Sequence, residues 1–307
     1  MSKVVIGSRG SPLALWQANW IKDLLQEHNS DLAVDIKIIK TSGDKIQDIP
    51  LAKIGGKGLF VKEIEEGLLK REVDIAVHSM KDMPITFPMN LCIACVTKRE
   101  NPFDALISKN NIKLDDLPKG AKVGTGSLRR MSQLLYYRPD LKLVPLRGNL
   151  ETRLKKLKTE GLDAIILAAA GLIRLGWSDR ITEVISPEVL LPAMGQGAVG
   201  IETRKNDVDN QILLADIDHE ETHYALDAER ALVSQLEGGC NVPIGSFATL
   251  DGDKITLTGL VASLDGKTMY KKELTDLKTN AIALGRKLGD ELIELGADRI
   301  MQEIKSN

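Results

Sequence analysis

A cysteine near the C-terminal end of the sequence lies in a stretch that favours an exposed loop. Cys240 follows Gly238 and Gly239, and Asn241 and Pro243 come shortly after it. Glycine permits tight turns and close backbone approach, and proline prevents a helix from continuing. A thiol presented on such a loop is a candidate nucleophile or covalent attachment point. The alternative is a small buried side chain, because free cysteine is among the most buried residue types. The stretch alone leaves both interpretations open.

Basic side chains recur where the predicted strands end. Ligands of open α/β sheets bind beyond the carboxyl ends of the strands, so residues at these points are expected to meet in a cleft between two α/β domains. A guanidinium pairs bidentately with a carboxylate, and such a cleft therefore suits a ligand with several carboxylates. Arginine scattered over the surface, the alternative, would not fall repeatedly at strand ends. The residues of this predicted cleft are Arg9, Lys81, Asp82, Arg129, Arg130, Arg147 and Arg174, with Arg153 further along its helix.

Asp82 is a lone carboxylate within this basic group and directly follows Lys81. It could transfer a proton or stabilise a cationic intermediate at a site that otherwise attracts anions. It could equally be an ion-pair partner that holds Lys81 in place. The sequence by itself does not decide between the two roles.

Two glycine-rich stretches resemble phosphate-binding loops without meeting their requirements. Residues 124–130 combine glycines and a hydroxyl with a predicted helix N-terminus, where free N–H groups bind anions. A nucleotide-binding loop of the Walker type needs Gly-Lys-Ser or Gly-Lys-Thr after an earlier glycine at a fixed spacing. Neither this stretch nor residues 55–58 has that pattern, which argues against nucleotide phosphoryl transfer.

Two residue pairs have the spacing of metal ligands, but their surroundings favour other roles. Cys92 and Cys95 lie in an apolar strand with no second cysteine or histidine pair at useful spacing, so we expect core packing. His219 and His223 flank a hydrophilic segment and have no third ligand, which indicates a solvated helix start. The sequence therefore predicts no metal site.

Length and composition narrow the class of protein. The 307 residues suffice for two or three domains, and 43% hydrophobic and 27% charged residues are typical of globular proteins. A net charge of −2 and 4% aromatic residues argue against a nucleic-acid partner. The sequence shows neither a secretory signal nor an apolar run of membrane-span length, so no membrane partner is expected. With three cysteines and no such signal, the expected location is the reducing cytoplasm.

Strands that alternate with helices predict α/β units with parallel sheets. Ser11 and Pro12 have the types of an N-cap and a first helical residue, and apolar residues recur along one face of the helix that follows. We expect that face, which includes Trp16 and Trp20, to lie in the core. The predicted strands are 3–7, 34–39, 74–77, 91–96, 122–123, 143–146 and 164–167, and the predicted helices include 59–70, 222–236 and 280–303.

The composition of the chain changes at two places. A charged stretch at 98–102 predicts a hinge between two α/β units. After residue 219, Asp-Gly turns at 251–252 and 265–266 separate alternating strands, which is a hairpin signal. The C-terminal part is therefore predicted to be a smaller α+β domain.

Seven short motifs occur in order along almost the whole chain: Arg9 to Gln17, Gly55 to Phe60, Val77 to Asp82, Ser127 to Arg130, Leu146 to Asn149, Gly195 to Gly197 and Glu237 to Cys240. Each alone is weak evidence, but together they resemble the hydroxymethylbilane synthase family, also called porphobilinogen deaminases. Enzymes of this family are transferases that join four porphobilinogen molecules head to tail and release ammonia at each step. The product is hydroxymethylbilane, a linear tetrapyrrole of haem biosynthesis. The resemblance implies a dipyrromethane cofactor, built from the same substrate and attached through a thioether to Cys240.

The resemblance also implies roles for the residues of the cleft. Porphobilinogen carries acetate and propionate groups, so the arginines would bind a growing polycarboxylate. Loss of ammonia leaves an electrophilic azafulvene and a cationic pyrrole, and Asp82 is the implied catalytic carboxylate. The implied cofactor-binding residues are Lys81, Asp82, Thr125, Ser127, Arg129, Arg130, Arg147, Gly148 and Ala168. The implied substrate-binding residues are Arg9, Ser11, Gln17, Arg147, Arg153, Arg174 and Gln196. A loop that would cover the site carries Lys53, Gly55, Gly56 and Lys57.

The fold implied by the resemblance has three domains in a monomer. Two α/β domains similar to periplasmic binding proteins would comprise residues 1–98 with 198–216 and residues 99–197, with a cleft between them. The chain would return to the first domain near Ala198 to Arg204, where an apolar pattern fits a strand. A smaller α+β domain of residues 217–307 would carry the cofactor cysteine.

Two positions depart from the family pattern. Gly126 stands where the family usually has serine before Ser127, so a hydroxyl contact to the cofactor is expected to be missing or replaced by water. Ser42 stands before Gly43 where relatives commonly have arginine, which changes the contacts expected of that loop.

The alternative from a different class is a two-lobed anion receptor that performs no chemistry. It would explain the arginine cleft. It would explain neither Cys240 on a Gly-Gly loop nor a third domain, and it would usually carry a secretory signal.

We predict that the intact denatured protein carries a covalent adduct, and that Cys240→Ala folds but has neither adduct nor product formation. The reason is that Cys240 is the cysteine on a predicted exposed loop. Intact-mass spectrometry checks the adduct and peptide mapping locates it. The bare sequence mass would favour the receptor, and an adduct on Cys92 or Cys95 would exclude the assignment.

Overall fold

The computed structural model describes residues 3–45, 58–237 and 242–306. Its strands are β1 (Lys3–Ser8), β2 (Ala33–Ile38), β3 (Ile75–Ser79), β4 (Leu91–Val96), β5 (Asp104–Ser108), β6 (Lys122–Gly124), β7 (Lys142–Val144), β8 (Ala164–Ala168), β9 (Glu183–Val184), β10 (Val199–Arg204), β11 (Ile244–Asp251), β12 (Lys254–Ala262) and β13 (Met269–Leu277). Its helices are α1 (Pro12–His28), α2 (Ser42–Lys45), α3 (Lys62–Leu69), α4 (Leu128–Tyr137), α5 (Leu150–Thr159), α6 (Ala169–Arg174), α7 (Val208–Ala215), α8 (Glu220–Gln235), α9 (Ala281–Glu294) and α10 (Ala297–Ser306). Within the part of the chain that the structure describes, none of the helices combines the length and apolar character of a membrane span.

One compact unit comprises Met1–Glu100 and Ala198–His223. Its sheet has the strand order β2-β1-β3-β10-β4, in which β1 is parallel to β2 and β3, and β10 is antiparallel to β3 and β4. The prediction of a purely parallel sheet is therefore wrong here. Strand β10 follows residues 101–197 instead of a local crossover helix, so the parallel direction that such a crossover imposes does not apply to it. Strand β10 lies between β3 and β4, at the place in the sequence where the chain was expected to return.

A second compact unit comprises Asn101–Gly197 and Tyr224–Asn307. It contains a mixed sheet in the order β7-β6-β8-β5-β9 and an antiparallel sheet in the order β11-β12-β13. Strand β5, which the sequence analysis did not anticipate, is antiparallel to β8, so its first residue lies beside the last residue of β8. The break after Glu100 coincides with the predicted hinge at 98–102. The division of the chain into three domains stays a prediction.

Helix α1 begins as predicted but buries a different face. Ser11 is the N-cap and Pro12 the first helical residue, and the Ser11 hydroxyl accepts a hydrogen bond from the Ala14 amide at 3.3 Å. The fully buried residues are Gln17, Ala18, Ile21 and Leu25. The core face is thus rotated by one residue, about 100°, from the predicted one. Trp16 and Trp20 are only half-buried, with ring centroids 5.6 Å apart, because the aliphatic side chains fill the interior and the two indoles pack at its edge.

Local signals for caps and turns agree with the structure, with one exception. The side chain of Asn149 caps α5 by accepting a hydrogen bond from the Thr152 amide at 2.8 Å. Gly252 and Gly266 occupy their predicted turns with φ of 58° and 69°. The predicted helix 280–303 is instead two helices, α9 and α10, because Gly296 has φ of 107°, which a helix cannot contain.

The two pairs with metal-ligand spacing have other roles. Cys95 is fully buried in the core of the first unit, which confirms the packing interpretation for this residue, and Cys92 is half-buried on the same strand. His219 caps α8, since its Nδ1 accepts a hydrogen bond from the Thr222 amide at 3.2 Å, and His223 contacts Asp218 at 2.8 Å. The predicted helix start is confirmed. Over residues 3–45, 58–237 and 242–306, no group of His, Cys, Asp or Glu side chains is arranged to hold a metal ion.

A buried acidic cluster lies between the sheet of the first unit and α3. His78 Nε2 is 3.1 Å from Glu202 Oε2, and both side chains are almost fully buried. Glu65 of α3 is buried near them. Burial raises the pKa of Glu65, the Glu202 carboxylate raises it further, and His78 opposes both effects. Folding therefore stabilises the protonated form of Glu65 more than the unfolded chain does.

We predict that Glu65→Gln raises the melting temperature near pH 7.5 and leaves it unchanged near pH 4.5. A pKa raised by folding means that the stabilising contribution of the Glu65 proton is complete below the usual value of 4.5 and is lost as the pH rises through the folded value. Glutamine has the same shape and cannot ionise, so it removes this loss. Circular dichroism melts at several pH values, with the exposed Glu66→Gln as control, measure the effect. A shift that is the same at every pH would contradict this explanation.

Candidate active site

In the first unit, predicted site residues follow two adjacent strands. Strands β1 and β3 are parallel neighbours, so both end at one edge of the sheet. Arg9 follows β1, and Lys81 and Asp82 lie in a 3₁₀ turn, Met80–Asp82, directly after β3. Gln17 of α1 is 2% exposed and its Nε2 donates a hydrogen bond to Ser79 Oγ at 3.0 Å. Gln17 therefore fixes the end of the strand that carries Lys81 and Asp82.

Arg9 is held by residues on both sides of the segment 46–57, which lies outside the described residues. Its Nε donates to Asp44 Oδ1 at 3.2 Å, and its guanidinium carbon lies 4.3 Å from the centre of the Phe60 ring. Burial raises the pKa of Asp44, but hydrogen bonds from Arg9 and Thr41 outweigh burial and the net pKa is lowered. At neutral pH the pair is thus ionic, and Arg9 is oriented before any ligand binds.

The departure at Ser42 has a local explanation. Its amide and hydroxyl both hydrogen-bond to Glu63 Oε1, at 2.8 and 2.5 Å, and the Gly43 amide donates to the Leu59 carbonyl at 2.8 Å. These contacts join the two ends of the segment that contains the predicted loop residues. A serine at position 42 thus contacts the helix after the loop.

Asp82 is exposed and Lys81 is half-buried. No ion pair of the Asp82 carboxylate is seen among the described side chains, and the choice between its two roles stays a prediction. Asp82 is therefore accessible to a ligand.

In the second unit, the N-terminal turn of α4 directs two arginines onto one buried aspartate. Arg129 Nη2 lies 2.8 Å from Asp104 Oδ2, and Arg130 Nη2 lies 2.6 Å from Asp104 Oδ1. The exposed fractions are 3% for Arg129, 5% for Arg130 and 0% for Asp104. Arg129 Nη1 also donates a hydrogen bond to the Leu191 carbonyl, and Arg130 Nη1 donates one to the Ile166 carbonyl. The guanidiniums are thus fixed by the protein itself.

The charges in this cluster do not cancel. Burial alone would raise the pKa of Asp104, but the charges of Arg129 and Arg130 hold it well below its usual range, so the carboxylate is ionised. Two cations therefore face one anion at a helix N-terminus, which adds positive potential. Arg129 Nε is buried and has no hydrogen-bond partner among the described residues. A carboxylate group would satisfy both the excess charge and the unpaired donor, so this cluster fits a dipyrromethane bearing acetate and propionate groups.

Gln196 contacts the same cluster from a glycine turn, and Arg174 of α6 contacts that turn. Gln196 is 1% exposed, and its Nε2 donates to Asp104 Oδ1 at 2.8 Å and to the Pro102 carbonyl at 2.7 Å. Arg174, 8% exposed, donates to the Gly197 carbonyl at 2.8 Å. Gln196 thus bonds directly to the cluster, whereas Arg174 bonds to the turn that carries Gln196, and a direct substrate contact by either stays a prediction.

The remaining predicted residues of this unit surround the carboxyl ends of β6, β7 and β8. Thr125 is buried, and its hydroxyl accepts a hydrogen bond from the amide of the half-buried Ser127 at 3.3 Å. Ala168, the last residue of β8, lies opposite Asp104 in the sheet. The arrangement explains why these positions meet although they lie far apart in sequence.

The loop after β7 carries a second group of predicted residues. Arg147 is half-buried, and the structure gives it no hydrogen bond or ion pair with any described residue. Arg153 Nε donates to the Gly148 carbonyl at 2.8 Å. Gly148 has φ of 111°, and a Cβ there would lie 2.5 Å from Thr152 Cγ2, so the turn requires glycine. Arg147 is thus a cation available to an anionic ligand.

Gly126 allows this loop to approach the start of α4. A Cβ at position 126 would lie 2.7 Å from the Leu146 carbonyl oxygen. The departure expected to remove a hydroxyl contact therefore has a steric reason in this chain. A serine at 126 would require the backbone before Arg147 to move.

Asp104 was missed by the sequence analysis. It begins an apolar strand, Asp104–Ser108, and its carboxylate does not stand at a predicted strand end. The only sequence signal for its role is that a charged residue directly precedes an apolar segment, whose composition predicts a buried strand. Several predicted residues, namely Lys53, Gly55, Gly56, Lys57 and Cys240, lie outside the described residues.

The fold and the site together define a mixed α/β protein with an arginine cluster suited to a carboxylate-rich ligand. The family model described as "Porphobilinogen deaminase, dipyromethane cofactor binding domain" matches residues 4–212, and "Porphobilinogen deaminase, C-terminal domain" matches residues 224–294. A porphobilinogen deaminase of Geobacter sp. (strain M21) is 52% identical over 304 residues, 99% of this chain and 95% of the relative. One of Desulforamulus reducens is 50% identical over 304 residues, 99% of this chain and 98% of the relative. The chain belongs to the porphobilinogen deaminase family.

A solved structure with a similar fold shares far less sequence. The methionine-binding protein MetQ aligns with 69% of this chain and 89% of its own length, with a TM-score of 0.42 and 14% identity.

The family matches confirm the predicted transferase function, hydroxymethylbilane synthase, and the predicted dipyrromethane cofactor. The sheets described above confirm the α/β class with a smaller C-terminal α+β part. The anion receptor without chemistry is not supported.

We predict that Asp104→Asn lowers the free energy of unfolding of the second unit by about 3–5 kcal/mol, because it leaves two buried guanidiniums without their carboxylate. The lowered pKa of Asp104 means that its contribution is present above the usual value of 3.8 and is lost only as the pH falls through the lower folded value. The destabilisation should thus persist from pH 5 to pH 8. Thermal and urea unfolding measure it, with exposed Asp116→Asn as control, and equal melting of the two variants would contradict it.

Proposed function

We propose that the cluster of Asp104, Arg129 and Arg130 binds the carboxylates of a dipyrromethane attached to Cys240, and that Asp82 is the catalytic carboxylate in the addition of porphobilinogen. The observation that carries this proposal is the charge of the cluster, in which two buried guanidiniums face one buried carboxylate. When bound, the dipyrromethane supplies the pyrrole to which the first substrate molecule is joined. The protein must orient that pyrrole and manage charge and protons around it.

Arg129 and Arg130 orient the bound group through charge-assisted hydrogen bonds, which are stronger and more directional than neutral ones. Because Asp104 already fixes both guanidiniums, little side-chain freedom is lost when a carboxylate binds. The rest of this proposed cofactor-binding set is Lys81, Asp82, Thr125, Ser127, Arg147, Gly148 and Ala168. The buried position of Arg129 supports its role, because an unpaired donor in a buried site binds an anion strongly.

Asp82 is suited to act on the substrate because its carboxylate is exposed and has no ion-pair partner among the residues described. Positive charge develops on porphobilinogen as ammonia leaves, and a fixed carboxylate stabilises that charge. The same Oδ atoms can accept and return a proton during the step. A neutral amide could do neither.

The carboxylates of porphobilinogen and of the growing chain are proposed to bind a set of cationic and polar residues. Arg147 is the best supported of these, since it is half-buried without a partner among the residues of the structure. Arg9, held by Asp44, supports binding of a charged ligand. The proposed substrate-binding set is Arg9, Ser11, Gln17, Arg147, Arg153, Arg174 and Gln196, and Lys53, Gly55, Gly56 and Lys57 are proposed to cover the site.

The remaining proposals concern the whole chain. A cytoplasmic location is supported by the free thiols of Cys92 and Cys95 and by the need for a reduced Cys240. We propose a monomer without nucleic-acid or membrane partners, in keeping with a net charge of −2. The three-domain division, 1–98 with 198–216, 99–197 and 217–307, is supported by the separate antiparallel sheet of β11 to β13.

We predict that Asp82→Asn retains the covalent dipyrromethane but loses turnover by about 10²–10⁴-fold, as for other general acid–base groups. Asparagine keeps the shape and hydrogen bonding of the side chain without its negative charge. Single-turnover formation of hydroxymethylbilane by adduct-bearing protein is the measurement. Asp31→Asn, an exposed change in the same unit, is the control. A rate within about threefold of wild type would remove Asp82 from the mechanism.

A further inference from the structure

Glu229 of α8 is a fully buried carboxylate for which the reaction described above has no use. Its two oxygens accept hydrogen bonds from different main-chain amides, Oε2 from Gly195 at 2.7 Å and Oε1 from Ala248 at 2.9 Å. Its exposed fraction is 0%. Burial of a carboxylate costs desolvation free energy, which must be offset by hydrogen bonds to the buried oxygens. Glu229 thus ties α8 to a glycine turn and to strand β11.

The glycine turn that Glu229 holds is the one that supports the arginine cluster. Gly195 and Gly197 have φ of 67° and 93°, so the turn requires glycine at both positions. Between them, Gln196 extends its side-chain amide to Asp104 Oδ1 at 2.8 Å. A displaced turn would therefore displace the group that orients the Asp104 carboxylate.

The same helix leads to the proposed attachment site. Helix α8 ends at Gln235, and Cys240 follows five positions later in the sequence. Glu229 is therefore bonded to the turn that supports the carboxylate-binding arginines, and it belongs to the helix that precedes the thiol. Loading of a covalent cofactor requires that the thiol and the carboxylate-binding arginines are positioned together, because the effective concentration of the reacting groups falls steeply when the geometry is wrong.

We propose that Glu229 is a positioning residue for cofactor loading, acting through the Gly195–Gly197 turn, Gln196 and Asp104 on Arg129 and Arg130. This inference rests on the proposed function of the arginine cluster. It goes beyond that function because Glu229 is fully buried and is not one of the residues proposed to bind cofactor or substrate. Glutamine at 229 would keep the shape of the side chain but direct an NH₂ group against one of two amide N–H donors. One hydrogen bond would be lost and replaced by a donor–donor contact.

The test uses full-length protein produced without porphobilinogen, then titrated with porphobilinogen while the adduct is followed by intact mass. Glu229→Gln should need about tenfold or more porphobilinogen for half-maximal loading, which corresponds to loss of one charge-assisted hydrogen bond. The exposed Glu221→Gln on the same helix is the matched control and should load like wild type. A purely structural role would lower the melting temperature without changing the loading concentration.

Arg129→Leu separates this inference from the proposed function. If Arg129→Leu loads poorly while Glu229→Gln loads like wild type, the positioning role of Glu229 is wrong and the arginine site stands. If Arg129→Leu itself loads like wild type, the proposed function of the cluster fails. Should Glu229→Gln lack the circular dichroism spectrum of a folded protein, Gln196→Met decides. It interrupts the same route further along, and normal loading of that variant would overturn the inference.

Discussion

The structure of the second unit depends on the ionic contact of one buried aspartate with two buried arginines. Isolated charges are costly to bury, and even a good ion pair only offsets that cost when its remaining donors and acceptors are satisfied. Here most are satisfied by the main-chain carbonyls of Leu191 and Ile166 and by Gln196. What is left is one excess positive charge and one unpaired Nε, on Arg129. The cluster is therefore suited to bind an anion, because its own charges do not cancel.

Sheet topology explains how that contact can form. Asp104 starts β5, which runs antiparallel to β8, so the amino end of one strand lies at the carboxyl end of the other. The arginines come from the first turn of a helix that follows β6, a parallel neighbour of β8. A parallel β5 would have placed Asp104 at the opposite edge of the sheet, away from α4. The antiparallel direction of a single strand thus determines whether the cluster exists.

In the first unit, charged side chains are positioned with less burial than in the second. Arg9 is oriented by Asp44 and by the face of Phe60, while Asp82 stays exposed. Exposed charges are screened and can exchange partners, which suits groups that act on successive substrate molecules. Buried and fixed charges suit a group that is bound once and kept. The contrast between the two sets of residues agrees with a transferase that holds a permanent cofactor and processes a transient substrate.

The sequence by itself determined the family, the residue types at the strand ends and the local signals, such as the cap at Ser11 and the Asp-Gly turns. These depend on neighbours a few positions away, which is why they could be predicted. Only the tertiary structure decided the direction of β5 and β10, the buried face of α1, and the pairing of Asp104 with partners as distant as Gln196, 92 positions along the chain. Glu229 is a further case, since its carboxylate is recognisable as a support only when Gly195 and Ala248 are brought to it. The physical reason is that burial and charge pairing depend on which segments of the chain come into contact. The spacing of residues along one helix or strand does not specify those contacts.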